Sequence, residues 1–441
     1  MAKVPIVAIV GRANVGKSSL FNRLVNAQQA IVAREAGTTR DAVYGRVTTP
    51  KGVFSVVDTA GLKDPADQFE ASIQDQITDA ASLASVIVVV ADATSAISPE
   101  DLRVAKLARK SQSAVILALN KAEKGKKIDF DQFKRLGIKN TVRTSATQGL
   151  GVNALIELIQ SQISPAAEVT DTGGLCIAFV GRPNVGKSSL FNSLSVQTKA
   201  VVDDKAGTTR DVNRAQITVN QQPITLLDTA GIRRSGKIER GIERFSVMRA
   251  VAAIEEADIC ILVVDATEPG VALDQKLAGV IKDAGKGLIL AVNKWDLIDK
   301  DAFTHDAMLA KLKREFQHTP WAFFTVTSAA DKQNVTRLVK LGNDIEAERQ
   351  KTVKTAALNR WLGERVNHHP PAGLKHTHPK LRYMTQTGSA PPQFSIFGTG
   401  VRVIHWSYVR YLERELRTGF GFGGTPIRIK FVEKASGKIK P

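Results

Sequence analysis

The 441-residue chain is poor in cysteine, in aromatic residues and in long apolar runs. Its two cysteines, Cys176 and Cys260, lie in apolar, strand-like stretches, a setting that favours buried free thiols over a disulfide or a metal site. No apolar run approaches the ~20 residues that span a membrane, and the N-terminal run stops at Gly11, too early for a cleavable signal. We therefore expect a cytoplasmic protein without membrane attachment.

Acidic residues are also scarce, because 43 of them stand against 61 lysines and arginines and leave a net charge of +18. Residues 351–441 hold 16 of the basic residues and only 4 acidic ones, a net of +12. A C-terminal region with this charge, which coincides with a separate domain, indicates contact with nucleic acid; a solvated basic face is the alternative. Four histidines lie close together in sequence but lack cysteine partners, and we expect them to lie in a solvated loop rather than to form a metal site: His368, His369, His376 and His378.

The most informative feature present is a duplicated set of motifs. GRANVGKSSLFN begins at Gly11, and GRPNVGKSSLFN begins at Gly181. G-T-T-R-D at position 37 recurs at 207, D-T-A-G at 58 recurs at 228, N-K-A-E at 120 recurs as N-K-W-D at 293, and T-S-A at 144 recurs at 327. The repeat has the size of a domain, so it means a duplicated domain rather than a solenoid.

Strand-like and helix-like segments alternate through both copies, with strands at 4–10, 53–58, 85–92 and 114–120 and helices at 17–25 and 99–110. This alternation predicts an α/β fold of two tandem P-loop domains with doubly wound, mostly parallel sheets. A helix, two strands, a helix and a strand follow and predict a small α+β domain. The predicted divisions are a first domain (1–163), a linker (164–174), a second domain (175–350), the basic domain (351–434) and a flexible tail (435–441).

Each copy contains G-x-x-x-x-G-K-S, a loop whose backbone N–H groups surround phosphates while its lysine reaches the β- and γ-phosphates. The residues expected around the phosphates are Gly11, Arg12, Ala13, Asn14, Val15, Gly16, Lys17 and Ser18, and Gly181, Arg182, Pro183, Asn184, Val185, Gly186, Lys187 and Ser188. Mg²⁺ is expected on Ser18, Thr39 and Asp58 and on Ser188, Thr209 and Asp228, with Thr38 and Thr208 as alternative threonines.

Asn-Lys-x-Asp selects guanine because a carboxylate accepts hydrogen bonds from N1–H and the exocyclic amine, a donor pair that adenine lacks. The second copy has this motif as Asn293, Lys294, Trp295 and Asp296, with Ser328 and Ala329 expected near the guanine oxygen. The first copy has Asn120, Lys121, Ala122 and Glu123, with Ser145 and Ala146. The longer Glu123 side chain predicts weaker guanine preference in the first copy.

The D-T-A-G segments are expected to sense the γ-phosphate; with the residue after each they are Asp58, Thr59, Ala60, Gly61 and Leu62, and Asp228, Thr229, Ala230, Gly231 and Ile232. Ras-like enzymes place a water-orienting glutamine after this motif. Leu62 and Ile232 cannot orient water, so intrinsic hydrolysis is expected to be slow. Segments 33–41, 61–75, 203–211 and 231–248 are expected to change order with nucleotide state.

With these motifs in place, the chain resembles the double-Era GTPase family (EngA, also called Der) over nearly its whole length. Two further segments carry the resemblance, DTAGIRRSGKIERGIERFSVMRA at 228–250 and GFGGTPIRI at 421–429. It implies two GTP-hydrolysing domains, a C-terminal KH-like domain, and action on the large ribosomal subunit and its rRNA by a monomer. It also implies a K⁺ ion at the loop asparagines, so the catalytic residues would be Asn14, Lys17, Asn184 and Lys187; a turn role is the alternative for both asparagines.

The chain departs from the family pattern at Glu123 and at Ala13, where the second loop keeps Pro183. The C-terminal domain lacks G-x-x-G between its helices, and residues 421–424 fit those letters but precede a strand, which predicts a turn. RNA contact is then expected of basic residues such as Arg382, Arg402, Arg410 and Arg428. A nucleotide-gated RNA-binding scaffold with incidental GTP turnover is the alternative function.

Overall fold

The computed structural model describes residues 4–26, 44–58, 73–124, 129–163, 174–197, 213–219, 222–229, 247–299, 304–373 and 378–433. The first of its three sheets has six strands in the order β2-β3-β1-β4-β5-β6, of which only the β2–β3 pair is antiparallel. Its strands are β1 (Ile6–Val10), β2 (Tyr44–Thr49), β3 (Gly52–Asp58), β4 (Val86–Asp92), β5 (Ala114–Asn120) and β6 (Asn140–Arg143).

Helices cover this sheet, and they are α1 (Lys17–Asn26), α2 (Ile73–Leu83), α3 (Pro99–Arg109) and α4 (Val152–Gln162). Every residue of β1 is buried, as its continuous apolar sequence requires of a strand covered on both faces. The start of α3 is determined locally, because the Ser98 side chain accepts from the Asp101 N–H and the Asp101 side chain accepts from the Ser98 N–H. Pro99 occupies the first turn, where a missing N–H costs nothing.

The second sheet repeats this topology strand for strand, in the order β12-β11-β10-β7-β9-β8. Its strands are β7 (Leu175–Val180), β8 (Asn213–Val219), β9 (Gln222–Asp228), β10 (Ile259–Asp265), β11 (Gly287–Asn293) and β12 (Phe323–Val326). Its helices are α5 (Lys187–Gln197), α6 (Val247–Glu256), α7 (Ala272–Asp283), α8 (Thr304–Glu315) and α9 (Val335–Gln350). The predicted α/β fold with two doubly wound, mostly parallel sheets is confirmed.

The third sheet is smaller, in the order β13-β14-β15, with β13–β14 antiparallel and β14–β15 parallel. Its elements are α10 (Thr355–His368), β13 (Lys380–Gly388), β14 (Gln393–Thr399), α11 (Trp406–Phe420) and β15 (Arg428–Glu433). This is the helix-strand-strand-helix-strand order that the sequence predicts. No helix in the described part of the chain is long and apolar enough to cross a membrane.

The first two domains meet at a buried carboxylate. The side chain of Glu255, at the end of α6, is fully buried and accepts hydrogen bonds from the Tyr44 and Ser55 hydroxyls of the first domain. The Arg46 guanidinium contacts both of its oxygens, with Nε 3.3 Å from Oε1 and Nη2 paired to Oε2. A buried charge needs such partners to offset its desolvation.

The second and third domains meet along a backbone-paired seam. The Leu288 N–H donates to the Gly424 carbonyl at 2.8 Å, and the Gly424 N–H donates to the Trp321 carbonyl at 2.8 Å. On the second-domain side, Arg349 is only 2% exposed and donates from Nη1 to the Gly285 carbonyl of the same domain at 2.9 Å. Residues 421–424 form the predicted turn between α11 and β15, and that turn attaches the third domain to the second.

Candidate nucleotide sites

Each phosphate loop follows the end of a buried central strand, at the carboxyl edge where open α/β sheets bind ligands. Gly16 has φ +91° and Gly186 has φ +94°, values that favour glycine. A Cβ at either position would overlap the side-chain amide of the motif asparagine, Asn120 or Asn293. The glycines are therefore required both by the loop conformation and by a neighbouring side chain.

The two motif asparagines connect the guanine-side segments to the loops. Asn120 Nδ2 donates to the Val15 carbonyl at 3.0 Å, and its Oδ1 accepts from the Ala146 N–H at 3.1 Å. Asn293 makes the matching bonds to the Val185 carbonyl at 2.9 Å and the Ala329 N–H at 3.2 Å. The structure thus brings the loop, N-K-x-D and T-S-A motifs together in each copy.

The loop lysines are buried at the base of their loops. Lys17 is 9% exposed, and its Nζ donates to the Gly11 carbonyl at 2.9 Å and the Arg12 carbonyl at 2.7 Å. Lys187 is 5% exposed and donates to the Arg182 carbonyl at 2.7 Å. Each ammonium is held at its loop, where it can bind the same phosphate groups as the loop N–H groups.

A hydroxyl and a carboxylate meet beside the first loop. Ser18 Oγ donates to Asp58 Oδ2 at 2.6 Å, and the Asp58 residue is 1% exposed. Two adjacent hard oxygen donors at the phosphate edge fit the ligand preference of Mg²⁺. In the second copy Asp228 is equally buried, and Thr229 donates from Oγ1 to the Phe179 carbonyl at 3.0 Å.

One acidic residue in each site was missed by the sequence analysis. Asp92, at the end of β4, pairs with Lys121 through a 2.6 Å contact to Nζ, and Asp265, at the end of β10, pairs with Lys294 at the same distance. Burial acts to raise the pKa of each aspartate, but its lysine and threonine hydrogen bonds lower the pKa below its usual value. The sequence D-A-T, which begins at 92 and recurs at 265, was the available signal.

The two guanine-side carboxylates differ in their partners. Asp296 Oδ1 accepts from Ser328 Oγ at 2.6 Å, whereas Glu123 Oε1 accepts from Thr147 Oγ1 at 3.1 Å. The other oxygen of Glu123 is buried and has no hydrogen-bond partner among the described residues. The pKa of Glu123 lies below its usual value. Slight burial acts to raise this pKa, but hydrogen bonds from its own N–H and from the Ser145 and Thr147 hydroxyls outweigh that effect. The extra methylene thus lets the carboxylate reach Thr147, the residue just after the T-S-A segment.

The loop asparagines and loop arginines differ in what holds them: the asparagines have an unusual backbone conformation, and the arginines have side-chain partners. Asn14 has φ +63° and Asn184 has φ +62°, the left-handed conformation that asparagine tolerates in turns, and both residues are exposed. The side chains of Arg12 and Arg182 lie against acids at the start of α3 and α7, with Arg12 Nε 3.3 Å from Asp101 Oδ1. These guanidinium groups position the loops, and the loop backbone is left to face the ligand.

The remaining expectations fall partly outside the described residues. Those outside are Thr38, Thr39, Thr59, Ala60, Gly61, Leu62, Thr208, Thr209, Ala230, Gly231, Ile232 and His376, with segments 33–41, 61–72, 164–173, 203–211, 231–246 and 434–441. Cys176 and Cys260 are free, and burial raises the pKa of Cys260 to about 12, which makes this thiol unreactive at neutral pH. No cluster of three metal-ligating side chains occurs within the described ranges.

The basic residues expected to contact RNA are all exposed: Arg382, Arg402, Arg410 and Arg428. Arg410 stacks over Trp406, with its guanidinium carbon 4.5 Å from the ring centroid. Arg428 differs from the other three in its partner, because its Nη2 donates to the Asp283 carbonyl at 3.0 Å. This contact with the second domain gives Arg428 a structural role at the seam.

Comparison with known proteins agrees with this architecture. The family profile described as "50S ribosome-binding GTPase" matches residues 6–121 and 176–294, and that described as "KH-domain-like of EngA bacterial GTPase enzymes, C-terminal" matches residues 352–431. The chain is 41% identical to "GTPase Der" of Herpetosiphon aurantiacus, covering 97% of this chain and 96% of the relative. It is 42% identical to "GTPase Der" of Chloroflexus aggregans, covering 97% of each. The chain therefore belongs to the EngA (Der) family, whose members bind and hydrolyse GTP with two G domains and carry a C-terminal KH-like domain.

Proposed function

We propose that this GTPase acts in the cytoplasm as a nucleotide-controlled switch in maturation of the large ribosomal subunit. The observation that carries the proposal is the combination of two G-domain segments matching a ribosome-binding GTPase profile with a C-terminal region, residues 351–441, of net charge +12. That charge supports contact with rRNA because phosphate neutralisation releases counterions. Nucleotide state would then control binding through the segments next to each site.

In the proposed hydrolysis, a water attacks the γ-phosphate in line with the leaving oxygen, and catalysis comes from positioning and electrostatics. Lys17 and Lys187, with the loop N–H groups, would stabilise charge on the β- and γ-phosphates. Ser18 and Asp58 in the first site, and Ser188 and Asp228 in the second, would hold Mg²⁺, which neutralises developing phosphate charge when bound. Thr39 and Thr209 are proposed to complete its ligands.

We also propose that Asn14 and Asn184 help hold a K⁺ ion beside the phosphates. Leu62 and Ile232 cannot orient the attacking water, so another group must supply what a glutamine supplies in Ras-like enzymes. Both asparagines are exposed at the loop, where a side-chain oxygen can reach a cation. GTP hydrolysis should be faster in K⁺ than in Na⁺ at equal ionic strength, and an Asn14→Ala, Asn184→Ala double variant should lose that difference; retention of the K⁺ effect would favour the turn role alone.

Co-sedimentation with purified large ribosomal subunits in K⁺ buffer tests the ribosome proposal. We expect binding with a non-hydrolysable GTP analogue and little binding with GDP. Equal binding in both states, or none, would contradict a ribosome-coupled switch.

A nucleotide-gated RNA-binding scaffold is the second candidate, and the absence of a glutamine at positions 62 and 232 favours it. In a scaffold, turnover would stay near the ~10⁻⁴ s⁻¹ of unassisted Ras-like hydrolysis. Single-turnover rates with and without large subunits separate the two, because only a working switch should hydrolyse GTP much faster than this.

A further inference from the structure

A basic cleft lies on the first G domain, away from its nucleotide site. The α3 cleft has a volume of 470 Å³ and is lined by Leu102, Lys106, Arg109, Lys110, Arg135 and Leu136. All four basic side chains are exposed, and none of them forms an ion pair with another described residue. Leu102 is 39% exposed, which gives the cleft an apolar part beside its charges.

The cleft is separate from the phosphate loop. Asp101, in the first turn of α3, pairs with Arg12 of the loop, whereas Arg109 ends the helix. At 1.5 Å per residue these positions are roughly 12 Å apart along the axis. The cleft cations therefore lie toward the amino-terminal edge of the parallel strands, opposite the edge that binds nucleotide.

Helix capping explains only part of this charge. Basic residues in a last helical turn are favoured by the helix dipole, which accounts for Lys106, Arg109 and Lys110. Arg135 comes from a different element, the 3-10 helix Asp131–Leu136. The Arg109 guanidinium also lies against the backbone of Gly137, where φ is +67° and a Cβ would overlap it. Helix α3 and the 3-10 helix thus bring their cations together, and the Arg109 guanidinium is held against the backbone of Gly137.

Comparison between the two G domains shows what is unusual about this face. Aligning the two D-A-T sequences pairs the positions of Lys106, Arg109 and Lys110 with Gly279, Lys282 and Asp283. In the second domain this end of the helix is covered by the third domain, because the Asp283 carbonyl accepts from Arg428. There a cation of the third domain reaches the end of the helix. In the first domain the surface supplies the cations itself, which suits it to an anionic partner.

We propose that the α3 cleft binds the phosphate backbone of RNA, giving the first G domain an RNA contact of its own. Arginine presents a planar set of donors that matches phosphate bidentately, and two of the four cations are arginines. The net charge of +18 favours a polyanion over an isolated acidic side chain. The identification of this RNA as ribosomal rests on the proposed function, but the phosphate contact does not.

A quadruple variant of the full-length protein tests the contact: Lys106→Gln, Arg109→Gln, Lys110→Gln and Arg135→Gln. The matched control removes two lysines and two arginines that are also exposed, on the second domain: Lys311→Gln, Lys313→Gln, Arg314→Gln and Arg337→Gln. Binding to a labelled single-stranded RNA is measured over a salt series, alongside co-sedimentation with large subunits. Polyglutamate serves as an acidic-polypeptide probe, and GTP hydrolysis without RNA reports on folding.

We expect the cleft variant to bind RNA at least tenfold more weakly than the control variant. Its salt slope should be shallower by about 0.7 per lost phosphate contact, and its basal GTP hydrolysis should equal that of the control. Equal RNA affinity of the two variants would overturn the cleft proposal. So would a loss confined to polyglutamate, which would indicate an acidic protein partner.

The two proposals fail separately. If the unmodified protein does not bind subunits but the cleft variant alone is impaired on RNA, the ribosomal function is wrong and the cleft contact stands. If subunit binding depends on GTP but both variants bind RNA and subunits equally, the cleft contact is wrong and the ribosomal function stands. If the unmodified protein binds neither RNA nor subunits, both are wrong.

Discussion

Within each nucleotide site, the residues with the clearest physical roles are the loop lysines. Lys17 and Lys187 are buried, and each places its ammonium on backbone carbonyls of its own loop. A carbonyl is a neutral acceptor, so these bonds orient the ammonium without cancelling the charge that phosphate requires. The same arrangement in both copies indicates that both sites are built to bind phosphate.

Replacing one loop lysine should silence one site. Lys17→Ala and Lys187→Ala should each reduce hydrolysis at the altered site by about 100-fold or more, because each removes a preorganised donor to transition-state charge. Single-turnover assays on each variant and on the double variant would measure this. The double variant should show no fast phase of GTP hydrolysis. A fast phase of hydrolysis in the double variant would mean that neither lysine contributes as described.

Glu123→Asp should tighten nucleotide binding at the first site. The shorter carboxylate would take the position that Asp296 holds beside Ser328 and would recover charge-assisted hydrogen bonds to guanine worth about 1.5–3 kcal/mol, or roughly tenfold or more in GDP affinity. Fluorescent-GDP titration in a Lys187→Ala background isolates this site. Asp296→Glu in a Lys17→Ala background is the converse control and should weaken binding at the second site.

Among the secondary-structure elements, the edge strand β2 and helix α6 have the most consequential contact. Tyr44 and Arg46 lie on the strand that follows segment 33–41, and Glu255 lies in the last turn of the helix that follows segment 231–246. Each side of this contact therefore adjoins a segment expected to respond to nucleotide. Lys286 supports the same place by donating to the Glu255 and Ala257 carbonyls at 2.8 and 2.6 Å.

Glu255→Gln should destabilise the contact in a pH-dependent way. Burial acts to raise the pKa of Glu255, but the hydrogen bonds and charge of Arg46, with Ser55 and Tyr44, keep the pKa below its usual value. A lowered folded-state pKa means that the stabilisation is complete above the unfolded-state value near about 4.3 and is lost as pH falls through the folded value. Breaking such a buried pair costs about 3 kcal/mol.

Unfolding measured against pH checks this expectation. The difference between the unmodified protein and Glu255→Gln should be constant from neutral pH down to about pH 5 and should shrink below about pH 4. Asp131→Asn, which breaks the solvent-exposed pair with Lys134, is the control and should leave stability unchanged. A Glu255 effect that does not vary with pH would contradict the ionised-carboxylate account.

For the whole molecule, the turn at 421–424 is central to the attachment of the third domain. Gly424 has φ +71°, pairs through both backbone groups with the second domain, and leaves no room for a Cβ beside Ile345. Arg417 lies over the Trp321 ring, 5.6 Å from its centroid, at the same seam. The orientation of the basic domain is therefore coupled to the packing of α9 and to the environment of Trp321.

Gly424→Ala should loosen the seam while leaving both nucleotide sites intact. The strained backbone and the clash should change the Trp321 fluorescence and expose residues 351–354 to protease, with nucleotide affinity unchanged. Gly363→Ala is the matched control, because nothing lies within 4 Å of a Cβ there and the helix should gain about 0.5–1 kcal/mol. Equal protease resistance in the two variants would contradict a seam held by this turn.

Much of the nucleotide site could be predicted because its parts are local. A glycine loop between a strand and a helix, or a carboxylate that closely follows an asparagine, is specified by short-range sequence. Asp92 and Asp265 escaped prediction because their pairing with Lys121 and Lys294 joins neighbouring strands, which no single motif records. The structural roles of Arg12, Arg182 and Arg428 escaped for the same reason, since a basic residue in sequence does not reveal which acid or carbonyl it will contact.

The sequence by itself determined the duplicated α/β fold, the GTP-binding motifs, the order of elements in the basic domain and the free cysteines, because periodicity, glycine placement and motif spacing act over short distances. Tertiary structure alone decided how the three domains meet. The Glu255 cluster, the Gly424 seam and the α3 cleft each bring together residues from separate elements. Whether a charge there is buried, paired or exposed depends on packing, and packing decides which charges remain available to a partner.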